Sequence, residues 1–419
     1  MRNRWKFVGR IAGVVFASIV TVPLLYGGAQ AAEGAAAGPT VSKSVAKPLK
    51  AAQEALVAKN WDSALSNIKT AQGEPGEKTA YDNFVINQML LFVYVQKQDF
   101  ASAAPVLEAA AASQYATPDQ QKTWLRALMG IYFQQKDYAK TIEFGEQAVK
   151  KGVNDTETFT TLADSEGKLG KWKDAATTIQ EVLQRQDKPE ERLLAFQWNA
   201  YVKANDDADA AKVIEKLVTY YPKPDYWLNA LAPLLRMDIK DPHLQLDVYR
   251  LMNDVGVLKR PADFADMAEL ALDQGYPGET QSVLQKAFAA NAFTEQRDKD
   301  RYQHLLDGAK QRAATDQASL AATEKDAANG PTGDRLVQVG AAFLSYGQND
   351  KALAALTKGI AKGSLKYPDG ANLLLGIAQL RSHDAADAQK SFDKVAASSN
   401  SGYARLGKLW SLHASSHSA

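Results

Sequence analysis

One recurrence constrains this chain more than any other feature. Eight short polar turns each lead into a small residue. "AKNWDSAL" carries Ala64, "QKQDFASA" Ala103, "QQKDYAKT" Thr141, "KLGKWKDA" Ala175, "KANDDADA" Ala210, "DQGYPGET" Thr280, "SYGQNDKA" Ala352 and "RSHDAADA" Ala388. In the first four, an aromatic residue (Trp61, Phe100, Tyr138, Trp172) stands three positions before the small one; the other four keep the small residue without it. From Ala64 to Ala210 the steps are 39, 38, 34 and 35, and from Ala352 to Ala388 the step is 36. A self-similar period of this size demands one supersecondary unit used many times. It also explains how 419 residues, 46% hydrophobic, are accommodated without the single core that rarely grows beyond about 250–300 residues.

The unit is helical. From about Ser42 onward, segments of 12–15 residues with apolar spacing i, i+3, i+4 alternate with short turns, and Ala, Leu, Gln, Lys, Asp and Glu dominate. The small residue lets two helix backbones approach. Apolar residues follow at i+4 and i+7, as in Ala175, Ile179, Val182 and Ala388, Phe392, Val395, and form the face turned to the preceding helix. Upstream, the pairs Val339/Gly340 and Leu375/Gly376 leave room for the partner. The fold class is therefore all-α, in serial hairpins. In "YYPKPDYWLNAL", Pro224 suits the first turn of a helix, where its missing N–H is not needed, so the stretch reads as a joint between units with an aromatic packing knot, the alternative being a partner-contact site. Two stretches, 228–257 and 297–329, lack the signature and read as degenerate repeats, with a possible hinge at "NGPTG".

The pattern resembles the tetratricopeptide repeat (TPR). That resemblance implies an α-solenoid of stacked antiparallel hairpins forming a right-handed superhelix, with about ten helix pairs over 44–400. Residues 401–413 would supply a capping helix and 414–419 a disordered tail. First helices would line a concave surface presenting Gln88, Thr123, Arg126, Glu157, Thr160, Asp164, Asn199, Lys203 and Glu269, turning apolar later at Val337, Leu344, Leu373, Ile377 and Leu380. The C-terminal helix is a candidate to cover the apolar part. Three stretches, "LVTYYPKPDYWLNAL", "YDNFVINQMLLFVYVQKQDFASAAPVLEAA" and "ALTKGIAKGSLKYPDGANLLLGIAQLRSHDAADAQKSFDKVA", are similar to periplasmic tetratricopeptide proteins that accompany TonB-type energy-transduction systems. This implies protein partners in the cell envelope, among them subunits of such a system.

The N-terminus points to export. Arg2, Arg4, Lys6 and Arg10 precede the apolar run 11–26, and "AQA" ends at Ala31, the pattern of a signal peptide cleaved after Ala31. The rival is an uncleaved inner-membrane anchor, for which 16 residues are short against the roughly 20 a span needs. Loss of the leader removes four positive charges and takes the net charge from +1 to −3. Residues 32–43 read as a flexible tether.

No enzyme is legible. The chain has no cysteine, which removes thiolate chemistry. Mixed charge without a basic run disfavours nucleic acid. His413 and His417 are spaced i, i+4 but read as part of a frayed Ser-rich tail and lack a third ligand, so no metal is implied, and three S-x-x-K matches stand alone. No cofactor motif occurs. The expectation is a non-enzymatic, exported, periplasmic protein-interaction scaffold. Alternatives are a general periplasmic adaptor for polysaccharide or lipoprotein assembly, and a small-molecule or glycan-binding solenoid with a pocket around Trp198, Tyr201 and Trp227.

Overall fold

A computed structural model describes residues 39–237 and 241–416. The leader, most of the tether and the last three residues of the tail lie outside them. The described residues contain 20 α-helices and no strand, divided between two compact units, 1–206 and 207–419.

Unit 1 is a series of hairpins. Helices α1 (Lys43–Val57) and α2 (Trp61–Gly73) form the first. Then come α3 (Ala80–Gln96) with α4 (Phe100–Ala111), α5 (Pro118–Gln135) with α6 (Tyr138–Lys150), and α7 (Thr156–Lys168) with α8 (Trp172–Leu183), followed by α9 (Glu191–Lys203). Every helix packs on the next, and first helices also touch, α1 on α3 and α5 on α7. The sequence places start signals where the helices begin. Thr79 with Asp82 and Thr117 with Gln120 form capping boxes, and Asn60, Asp99, Asp137 and Asp155 cap backbone N–H groups.

Unit 2 holds α10 (Asp207–Tyr220), α11 (Pro224–Arg236), α12 (Pro242–Asp254), α13 (Pro261–Asp273) and α14 (Pro277–Ala289). They are followed by α15 (Gln296–Asn329), α16 (Asp334–Ser345), α17 (Asn349–Lys362), α18 (Pro368–Arg381), α19 (Ala385–Ala396) and α20 (Ser401–Ser415). Pro224 opens α11 at its first position, as the joint sequence requires, and Trp227 is buried one turn in.

The eight turns share one backbone. Lys59, Gln98, Lys136, Gly170, Asn205, Gly275, Gly347 and His383 all have positive φ, between 55° and 83°. Each lies five residues before its small residue. The next N–H in each case returns to the carbonyl five residues back, for instance Asn60 to Ala55 at 2.9 Å, Lys171 to Glu166 at 2.9 Å and Asp384 to Gln379 at 2.9 Å. This left-handed closure satisfies carbonyls that a helix end leaves open. It recurs in the four turns without the aromatic, so backbone geometry, not the aromatic, defines the unit. All eight small residues are buried, seven with no exposed surface and Ala210 at 6%. A Cβ on Gly340 would lie 2.5 Å from Leu356, and one on Gly376 2.5 Å from the Phe392 ring, so both glycines make the room expected of them.

Four expectations are corrected. Residues 297–329 are not a degenerate hairpin but part of one 34-residue helix, α15. Between Gly308 and Gly330 the stretch contains neither glycine nor proline, and Ala, Gln, Lys and Glu outweigh its scattered Asp, Ser and Thr, so the helix runs on. Only Tyr302, Leu306, Ala309, Ala313, Leu320 and Ala327 are buried, and the helix lies along the surface. "NGPTG" is no hinge: Gly333 N–H donates to Gly363 O at 3.0 Å, and the glycine sits directly against Gly359. The tail does not begin at 414, because α20 continues to Ser415 and Ala414 is fully buried. His413 is not frayed but packed, its ring edge-on to Trp227 at 6.0 Å and Trp410 at 5.8 Å.

Unit 2 returns on itself. α20 packs on α19 and also on α10, α11, α12 and α18, while α12 touches α18. The return contacts are specific. Tyr403 donates to Asp247 at 3.3 Å, Arg405 to the Ala230 carbonyl at 3.3 Å, and Arg381 to Asp254 at 3.0 Å. His243 lies 4.4 Å from the Tyr367 ring. α20 therefore does more than cap a last repeat: it joins the end of unit 2 to its beginning.

Candidate functional site

The row expected on the first helices is partly surface. Arg126, Glu157, Asn199 and Lys203 are exposed, and Thr123, Thr160 and Asp164 half-buried. Gln88 is corrected: at 5% exposure it lies inside the core. α3 buries ten of its seventeen residues between its neighbours, Gln88 among them, and leaves Asn83 exposed and Asn87 half-buried. Arg126 of α5 reaches Asp155, the cap of α7, at 3.3 Å. Lys203 stands 4.0 Å over the Trp172 ring. Thr160 donates to the Glu157 carbonyl at 3.1 Å. Arg126, Glu157, Thr160 and Asp164 thus share the surface of two touching first helices, and Asn199 and Lys203 lie on the later first helix α9. Glu269 belongs to unit 2, where it accepts from Arg301 at 2.7 Å.

The apolar positions foreseen in unit 2 are not an open groove. Leu344, Leu373 and Ile377 are buried, and Val337 and Leu380 half-buried. Leu344 and Ile377 line a cavity together with residues of α12 and α14, so it is these helices that shut off the face there. Of the aromatic trio, Tyr201 donates to Gln180 at 3.5 Å, and Trp227 is committed to His413.

Sequence reasoning missed the most concentrated electrostatics. Arg250 is 6% exposed and Asp247 2%. Arg250 donates from Nε and Nη2 to the two oxygens of Glu279 at 2.9 and 2.6 Å, and from Nη1 to Asp247 at 2.7 Å. Its guanidinium lies 5.2 Å from the Tyr276 ring. Burial pushes the Asp247 carboxyl up to about 6, against the pull of Arg250. Burial opposes the charge on Arg250, but Glu279 and Asp247 outweigh it and hold the group above its ordinary range. Asp247 and Arg250 share one face of α12 at i, i+3, a faint sequence signal in a helix whose neighbours are otherwise apolar.

Unit 1 contains a second buried acid. Glu166 of α7 is 6% exposed, and its Oε2 has no hydrogen-bond partner among the described residues. Burial lifts its carboxyl from 4.5 to about 7; Thr178 opposes this, and Asp174 and Glu146 reinforce it. The folded chain therefore favours the neutral acid. Stability from this group is complete below about pH 4.5, falls as pH rises to about 7, and is absent above. Glu166→Gln should stabilise unit 1 relative to wild type at pH 8 by up to about 3 kcal/mol, with the difference vanishing near pH 4.5. Urea unfolding at the two pH values checks this; a difference independent of pH would refute it.

Among the described residues no cluster of His, Asp and Glu could hold a metal ion, and no helix is long and apolar enough to cross a membrane. No protein-family model matches the chain, and no curated protein matches it. Similar solved structures include a tetratricopeptide repeat protein from Parabacteroides merdae, with 13% identity, 78% of this chain and 98% of that one covered, and a TM-score of 0.28. Naa15/Naa10 bound to HypK-THB shows 15% identity over 87% of this chain and 65% of that one, with a TM-score of 0.29. The TPR2AB domain of yeast Sti1 in its pHSP90 complex shows 17% over 70% and 98%, with a TM-score of 0.23. At these scores the fold assignment rests on this chain's own turns and packing, which describe an all-α protein of serial helix hairpins closed by a repeated left-handed turn.

Proposed function

We propose that the chain is an exported, non-enzymatic scaffold that holds protein partners in the cell envelope, alongside a TonB-type transport system. The observation that carries the scaffold reading is the polar row of unit 1. Arg126, Glu157, Thr160 and Asp164 stand on the touching helices α5 and α7, with mixed charge and substantial exposure. Serial hairpins present such rows for binding an extended or helical segment. Export rests on the N-terminal sequence pattern, and the TonB-type context on the three stretches that resemble that branch. The leader is removed after Ala31 and the mature chain works in the periplasm, with no cofactor.

In-cell crosslinking of a tagged full-length chain, followed by mass spectrometry, tests this. TonB-type or inner-membrane motor subunits should be captured, and Arg126→Glu with Asp164→Lys should reduce their yield several-fold. Capture of unrelated envelope enzymes without transport subunits would leave a general periplasmic adaptor.

A further inference from the structure

In unit 2, α12, α13, α14, α16 and α18 line a partly open pocket of about 70 Å³, room for about two waters at liquid density. One part of its wall is apolar: Met267, Val283, Ala341, Leu344 and Ile377. The rest is polar: Arg250, Asn253, Glu279, Ser282, Ser345 and Arg381.

Hydrogen-bond accounting decides what this wall can take. Each Glu279 oxygen accepts one bond from Arg250, and Nε, Nη1 and Nη2 of Arg250 each donate one, which leaves one further N–H on Nη1 and one on Nη2. The node is structural, and because Arg250 already neutralises Glu279, that carboxylate offers little to a cation. Ser345 already donates to the Ala342 carbonyl at 2.8 Å. Donors remain elsewhere. Arg381 uses only Nη2, on Asp254 at 3.0 Å, which leaves Nε and Nη1. The Asn253 side-chain oxygen accepts from Lys286 at 2.6 Å, which leaves its amide nitrogen. Ser282 lines the pocket while exposed to solvent, so its hydroxyl can turn to a ligand. Fixed charges balance, with Arg250, Arg381 and Lys286 against Asp247, Glu279 and Asp254. An excess of unused donors in a charge-neutral, half-apolar cavity calls for a small ligand with a strong acceptor at one end and a short hydrocarbon at the other.

We propose that this cavity binds a short-chain monocarboxylate of two to three carbons, its oxygens on Arg381, Asn253 and Ser282 and its alkyl end against Leu344, Ile377 and Met267. A purely polar oxyanion such as sulfate would leave the apolar wall uncovered. The inference is independent of the scaffold reading, because all of its residues lie in unit 2.

Thermal unfolding of the full-length chain at constant ionic strength tests it, with sodium propionate as the probe and sodium chloride and propionamide as controls. Propionamide has the same shape without the charge. The melting temperature should rise with the logarithm of propionate concentration, with a dissociation constant of about 0.1–10 mM, as a ligand of so few atoms allows. Propionamide and chloride should leave it unmoved. Arg381→Met should weaken the effect at least tenfold, and Ala341→Leu, which fills the cavity floor without touching a charge, should abolish it. Equal responses to propionate and chloride, or an undiminished response in Arg381→Met, would show a solvent-filled void and overturn the proposal. If a variant loses its cooperative transition, saturation-transfer NMR on the wild-type chain decides. A propionate signal with none from propionamide upholds the site, and equal signals dismiss it.

Discussion

Arg250→Met should destabilise unit 2 by about 3–5 kcal/mol, more than most single substitutions in this chain. The side chain lies on α12, eight of whose residues are buried, and among the described residues it is the cation in direct contact with the carboxylates of Asp247 and Glu279. Methionine fills similar volume but leaves those two acids without it. Asp247 also holds Tyr403 of α20, so the loss weakens the contact that joins the end of unit 2 to its start. Urea unfolding followed by tryptophan fluorescence should show the Trp227 and Trp410 environments melting earlier. The triple variant Arg250→Met, Asp247→Asn, Glu279→Gln should recover much of the loss, since removing all three charges removes the uncompensated ones. A single-variant loss below about 1 kcal/mol would mean that water reaches the node and screens it.

What the sequence disclosed, and what it hid, divides along contact distance. The turn and the small residue five positions later are local, so Ala64 to Ala388 could be read as close-approach points without knowing where any helix goes. The same holds for Pro224, whose place follows from a missing N–H. The return of α20 onto α10–α12 was not legible. Tyr403 and Asp247 are 156 positions apart, and Arg405 and Ala230 are 175. A periodic pattern specifies how neighbours stack and says nothing about where the stack ends up. Gln88 was misplaced for a related reason. Register assigned it to a groove, but α3 is packed on so much of its surface that Gln88 is buried with its apolar neighbours, and Asn83 is the exposed polar position instead. Glu166 escaped notice because a glutamate in a helix ordinarily faces water, and only packing by α8 makes this one an exception.

Gly333→Ala should cost about 2–4 kcal/mol, at the upper end of overpacking effects, because the obstacle is backbone. A Cβ there would lie 1.9 Å from the Gly359 carbonyl oxygen and 2.9 Å from both the Gly359 carbonyl carbon and Leu365 Cδ2. A flexible side chain could swing away from such a clash. A carbonyl inside α17 cannot move without displacing the helix, and the Gly333 N–H is tied to Gly363 O at 3.0 Å. The approach of α16 and α17 is thus set by two facing glycines, and a Cβ on Gly359 would in turn meet Gly333 O at 3.0 Å. Gly308→Ala is the matched control: nothing lies within 4 Å of its Cβ, and it sits mid-helix in α15. That change should stabilise by about 0.5–1 kcal/mol, the ordinary helix preference for alanine over glycine. Denaturant midpoints of the two variants should therefore move in opposite directions from wild type. Movement of both in the same direction would mean that α16 and α17 do not approach as closely as their glycines permit.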